Sequence, residues 1–200
     1  MYTLIPGLNI AFNQVYTDQC AKSDPSFYSK NMLIINFCVH GRCEATLSNN
    51  KSAIVKENEI CISTIPPSKD FYYPGRLYEG TQLYLDLTLL NGNNYLSFLG
   101  IDLNQLNPIY CNHTGLYIHQ MGESLSLLIK KIWDAKDHCE YGQLRYFAVC
   151  LLHEIMHLPN KSDTNSFFTR SQIAIVKEAK SIILNDLSKK YTAKELATKF

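Results

Sequence analysis

Nothing in this sequence pairs its cysteines. Seven is an odd number and no C-x-x-C spacing occurs among them, so neither a disulfide framework nor a zinc ribbon is written into the chain. Cys38, Cys61 and Cys150 lie inside apolar runs, where a free thiol behaves as a small hydrophobe. Cys38 and Cys43 flank a Gly-Arg pair, but two thiols without matching partners make a poor metal site. Long apolar runs are missing as well. Tyr146 to Leu152 is among the longest, far short of the roughly 20 residues a membrane helix needs. The first residues lack the basic-then-apolar order of a secretory signal, so a reducing, cytoplasmic setting without membrane contact is expected. Charge of one sign is scarce: the net is +1, which gives no global pull toward nucleic acid. A Gly-rich phosphate loop, a G-x-S-x-G elbow and a Ser/His/Asp arrangement are all absent.

What is present is a globular composition, 46% hydrophobic and 12% aromatic, enough for a sizeable core. The charge is unevenly spread. Residues 1–160 carry a net −3 and residues 161–200 a net +4. A basic end on an acidic body suggests a separate partner for the end, or simply a solvated lysine-rich helix.

Periodicity divides the chain. Met32 to Val39, Glu44 to Leu47, Ser52 to Val55, Glu59 to Ile65 and Gln82 to Leu89 read as short strands. Gly41-Arg42, Asn49-Asn50, Pro66-Pro67 and Pro74-Gly75 punctuate them as turns. Many short strands imply a small jelly-roll barrel. After Asn91 the period changes. Met121, Leu125, Leu128, Ile132 and Ala135 step by four and three, as do Leu144, Ala148, Leu151, Ile155 and Leu158. Two helices joined by a polar turn at Cys139 to Gly142 make an antiparallel pair, which could cover the barrel or form half of a dimer interface. Pro159 to Ser166 reads as a linker. A third helix follows with Ile173, Val176, Ala179, Ile183 and Leu187 on one stripe. A fourth opens with Thr192 as N-cap and Glu195 as its capping-box partner.

The stretch from Ile173 through Val176-Lys177-Glu178-Ala179-Lys180 to Tyr191-Thr192-Ala193-Lys194-Glu195-Leu196-Ala197-Thr198-Lys199-Phe200 resembles the opening of an AraC/XylS-family DNA-binding domain. Phe37 to Glu44, Pro74 to Gly80 and Phe167 to Gln172 are similar to turns of the family's cupin-like sensor barrel and to its inter-domain segment. The resemblance implies an α+β chain. A cupin-like jelly-roll β-barrel (residues 1–110) would sense a small effector, an antiparallel helical pair (111–160) would dimerise, and 167–200 would begin a helix-turn-helix domain. Thr192, Glu195, Leu196, Ala197 and Phe200 would be scaffold of that domain. The family pattern continues past this point with a turn, a recognition helix and a second helix-turn-helix. The chain therefore looks cut, and operator DNA is expected as a partner of the full-length protein only, because the recognition helix reads the bases.

His153-Glu154-Ile155-Met156-His157 offers a competing reading, the zincin pattern of a zinc peptidase. At about 100° per residue, both histidines fall opposite the Ala148/Leu151/Ile155 seam, on the face of Tyr146 and Cys150. A catalytic zinc also needs a third protein ligand. Glu178 falls opposite its own apolar stripe, which leaves His113, His119 or Glu123 as candidates. The expectation is no metal, no cofactor and no catalysis.

Within the barrel, His40 is the one histidine among the first hundred residues, too few for a metal-dependent cupin enzyme. Asn36, Arg42, Tyr72, Arg76, Tyr84 and Asp86 are candidate ligand-binding residues, unless they face solvent outside a half-buried sheet. Leu125, Leu128, Ile132, Leu144, Leu151 and Ile155 are candidate dimerisation residues. A homodimeric regulator is the resulting expectation, with a stand-alone ligand-binding module as a further alternative.

Overall fold

A computed structural model describes residues 1–18, 31–46, 51–64, 72–91, 94–111, 115–161 and 167–200. The turns expected at Asn49-Asn50 and Pro66-Pro67, and most of the expected linker, lie outside these residues.

The fold is α+β, an antiparallel sheet with helices. Its strands are β1 (Tyr2–Ile5), β2 (Leu8–Val15), β3 (Met32–Thr46), β4 (Lys51–Lys56), β5 (Glu59–Ser63), β6 (Tyr78–Asp86), β7 (Leu116–Gln120) and β8 (Phe167–Thr169). The order runs β1-β2-β6-β3-β4-β8, with β5 pairing β3 on one side and β7 on the other. The helices are α1 (Leu87–Leu90), α2 (Asn94–Phe98), α3 (Leu103–Tyr110), α4 (Glu123–Asp137), α5 (Tyr141–Ile155), α6 (Arg170–Asn185) and α7 (Ala193–Ala197).

β3 is the spine. Its first part pairs with β6 and β5, and its last residues, Arg42 to Thr46, pair with β4. Gly41-Arg42 is therefore a bend inside one strand rather than the turn between two that the composition suggests. A register shift between Cys38 and His40 marks a bulge, which bends a strand and increases its twist. Gly41 sits at φ +79°, and a Cβ there would come within 2.1 Å of the Leu77 carbonyl oxygen. The close crossing of β3 over the start of β6 thus requires glycine.

Alternation along the strands gives the sheet two apolar faces. Leu33, Ile35, Phe37, Ile60, Ile62, Leu83 and Leu85 form one core with α3, α4 and α5. Cys38, Cys43, Ala53, Val55, Cys61, Tyr73, Tyr78, Leu116 and Ile118 form a second cluster where the bent sheet folds over itself. β7 pairs with β5, so the sheet reaches to Gln120, past the boundary expected at residue 110.

Two expectations are corrected here. Gln82 to Leu89 is not one strand, because Asp86 ends it. Its carboxylate accepts hydrogen bonds from the amides of Thr88 and Leu89 at 3.0 and 3.3 Å, capping α1, and this leaves Leu89 exposed. The four-three seams of α4 and α5 are also not a dimer interface. Leu125, Ile132, Leu144, Leu151 and Ile155 are buried within the chain, with Leu128 half-buried against the same core. The two helices turn their seams onto the sheet and onto each other, so Leu125, Ile132, Leu144, Leu151 and Ile155 have no surface to offer a second copy. Tyr110 secures the arrangement by donating its hydroxyl to the Ile155 carbonyl at 2.7 Å. Among the described residues, no helix is long and apolar enough to cross a membrane.

Candidate functional site

The polar residues singled out in the strands occupy several different places. Asn36 is buried on the inner face of β3, with Gln82 of β6 and Cys61 of β5 as its register partners. Tyr78 donates its hydroxyl to the Asn36 side-chain oxygen at 2.6 Å. Tyr84 lies opposite Ile34 and donates to Gln82 at 2.6 Å. Asn36, Gln82 and Tyr84 thus form a polar row on the inner face, with Tyr78 reaching it from the second cluster. Gln82 and Tyr84 are half-buried, so the row opens outward at that end.

The remaining candidates lie elsewhere. Arg42 is exposed on β3 opposite Lys56. Arg76 is exposed and pairs with Asp18 at 3.4 Å. Asp86 caps α1. Tyr72 bridges Glu44 backbone to backbone, at 2.8 and 2.9 Å, on the side of the sheet where α6 lies. Sequence reasoning missed Gln82, Tyr78 and Glu44. The alternation of Gln82 with Leu83 and Leu85 was a usable signal for the first. A long-range tyrosine contact and a buried glutamate have no local signature.

The thiols and the phenol around this row are uncharged. Burial pushes the Cys38 thiol up to about 12, with the Glu57 and Glu59 carboxylates adding to the effect. Burial likewise raises the Cys43 and Cys61 thiols and the Tyr78 phenol above their ordinary ranges. These groups stay protonated at neutral pH, so they supply neither a thiolate nucleophile nor a thiolate ligand. The inner face can therefore offer hydrogen bonds and apolar contact to an uncharged group. At pH 8 a thiol titrating near 12 is about one part in ten thousand thiolate. Cys38, Cys43, Cys61 and Cys111 should accordingly resist iodoacetamide in the folded protein and react fully only in denaturant, as peptide mass spectrometry would show. Among the described cysteines, Cys139, which is exposed, should label first.

His153 and His157 stand on the outer side of α5, both exposed, with ring centroids 4.8 Å apart. α5 ends at Ile155, so His157 belongs to the turn beyond it, its Nδ1 bonded to the His153 carbonyl at 2.9 Å. His119 is on β7 beside Tyr117, and Glu123 opens α4, while His113 lies outside the described residues. Among the described residues no group of three His, Cys, Asp or Glu side chains is placed to hold a metal. Elemental analysis of the purified protein should find zinc well below one per chain, unchanged by His153→Ala. One zinc per chain, lost in that variant, would establish the peptidase-type site instead.

The C-terminal residues form the two helices expected of them. α6 opens on a capping box that the sequence reading did not pick out, Thr169 with Gln172. α7 opens on the expected one: the Glu195 amide donates to Thr192 Oγ1 at 3.2 Å, and the Thr192 amide donates to the Glu195 carboxylate at 2.8 Å. The Thr192 amide, with the Thr192 hydroxyl donating to the same carboxylate at 2.9 Å, holds the Glu195 carboxyl below its usual range. Neither helix buries a side chain. Val176, Ile183, Leu184, Leu187 and Phe200 are exposed, and Leu196 is half-buried.

No family model matches the chain, and no curated protein does. Among solved structures it is similar to ToxT from Vibrio cholerae, at 9% identity and a TM-score of 0.38, covering 96% of this chain and 69% of that one. ToxT bound to unsaturated fatty acid gives 8% identity and a TM-score of 0.39, over 96% and 67%. ToxT bound to (E)-4-(8-methylnaphthalen-1-yl)but-3-enoic acid gives 9% and 0.40, over 96% and 70%. Superpositions this loose define neither an activity nor a ligand.

Proposed function

We propose that this chain is the sensing part of an AraC/XylS-like transcriptional regulator together with the opening helices of its DNA-binding domain. The observation that carries this reading is the state of α6 and α7. Both begin with complete capping boxes, yet they leave Val176, Ile183, Leu184 and Leu187 of α6, and Phe200 after α7, exposed among the described residues. Such exposed apolar residues belong to a helical module whose remaining helices supply the cover. The Thr192-to-Phe200 pattern is the one that begins a helix-turn-helix in that family. A turn and a recognition helix following Phe200 would complete it.

The role of the bent sheet in this reading is binding, not catalysis. Its cupin-like, jelly-roll character is part of the proposal. The row of Asn36, Gln82 and Tyr84, with Tyr78 behind it, would hold the polar end of a small effector whose remainder lies against apolar side chains. Effector binding would shift the equilibrium between arrangements of the DNA-binding helices.

Deleting the gene and comparing transcripts tests the proposal. A small set of transcripts should change, and the full-length gene should restore them while Leu196→Asp, which breaks the apolar anchor of α7, should not. An unchanged transcript profile, or complete rescue by the variant, would overturn the assignment.

A further inference from the structure

α6 rests on the outer face of the sheet through very few contacts, and one of them is charged. The Glu44 side chain is only 5% exposed, and its carboxylate accepts a hydrogen bond from Lys177 Nζ at 2.9 Å, across 133 positions of sequence. The same ammonium stands 4.5 Å above the centre of the Tyr72 ring. Glu44 and Tyr72 are locked together by their paired backbone hydrogen bonds. The sheet thus holds the backbones of Glu44 and Tyr72 side by side. One step along, Lys180 Nζ donates to the Pro74 carbonyl at 2.7 Å. β8 leads directly into α6 by pairing with β4.

A carboxylate beside an aromatic face is the chemistry that recognises an organic cation: the anion supplies charge and the ring quadrupole a second attraction. We propose that Glu44 and Tyr72 form a cation seat on the sheet, occupied in this structure by the chain's own Lys177. A small ligand bearing a primary ammonium would compete for it and free α6. Freeing α6 also breaks the Lys180 hydrogen bond to Pro74, but no side chain of the helix is buried. Lys177 is itself nearly half exposed, so solvent reaches the contact and exchange of one ammonium for another needs no opening of a core. The tethered lysine competes with any free cation, so the seat answers only to concentrations high enough to displace it. The seat names an effector class for the regulator reading, and its consequence for DNA rests on that reading. Its existence does not.

The test uses the whole chain and propylammonium chloride as probe, with sodium chloride at equal ionic strength as control. Amide hydrogen exchange of peptides spanning Arg170–Asn185 reports release of α6. Propylammonium should speed that exchange beyond the salt control. Glu44→Gln should exchange fast from the start and gain nothing from the probe. Lys177→Gln, which vacates the seat, should bind propylammonium about tenfold more tightly than the parent in an NMR titration, because the tethered competitor is gone. Thermal melts confirm that both variants remain folded. Equal acceleration by both salts would reduce the contact to ordinary charge screening, and no tighter binding by Lys177→Gln would overturn the seat. None of these readouts involves DNA, so failure of the seat and failure of the regulator assignment are separately visible.

Discussion

Leu151→Asp should leave the protein largely unfolded. Leu151 is completely buried at the centre of the core that α4 and α5 share with the sheet. Truncating it to alanine removes leucine contacts and leaves a cavity, worth about 2–5 kcal/mol. Aspartate adds the desolvation of a carboxylate in surroundings that the same core makes apolar. Together these approach the whole stability of an ordinary domain, about 5–15 kcal/mol. Urea denaturation of the alanine variant should show a lowered midpoint with an unchanged slope, and the aspartate variant should lack a cooperative transition. The opposite pattern, a well-folded aspartate variant that merely changes its assembly, is what an interface seam would give. The experiment thus separates the two uses of one hydrophobic pattern.

Gly41→Ala carries the second large effect. A positive φ of 79° already disfavours any side chain, by about 1–2 kcal/mol. A Cβ 2.1 Å from the Leu77 carbonyl oxygen cannot be accommodated by a rotamer change, because the obstacle is backbone. Overpacking of this kind adds about 1–3 kcal/mol. A loss of about 3 kcal/mol in urea is expected. Gly142→Ala is the control: an added Cβ there meets nothing within 4 Å, and it lies in α5, where alanine is neutral or stabilising by up to about 1 kcal/mol. Equal midpoints for the two variants would contradict the crossing described for β3 and β6.

Local chemistry was readable in the sequence where it is carried by adjacent residues. Thr192 and Glu195 announce their capping box three positions apart, and Thr169 with Gln172 carries the same spacing. The seams of α4 and α5 follow from period alone. Period does not say what a seam faces, so the same stripe served equally well as core or interface until the sheet was seen beneath it. β1 spans only four residues, and the alternation of β2 is confined to Leu8, Ile10 and Phe12 with Asn9 and Asn13. The Gly41-Arg42 pair carries turn composition, but its glycine serves a strand crossing, a need set by Leu77 from 36 positions away. Asp86 shows the reverse error: alternation continued past it on paper, while its carboxylate preferred to cap a helix. The candidate site was legible only in part. Asn36 and Tyr84 were found because they stand among apolar strand residues, whereas Glu44 acquires its role from Lys177, and no local pattern links the two.

The central claim is that a DNA-reading unit begins at α6 and α7. It is tested most directly by selection of random-sequence duplexes on the product of the full natural gene, sequenced after successive rounds. Enrichment of a defined motif, absent when the 200-residue chain is used alone, is the expected result; at most, the basic end should give the short chain weak, salt-sensitive binding without sequence preference. A gene product that enriches no motif at any salt concentration would contradict the account.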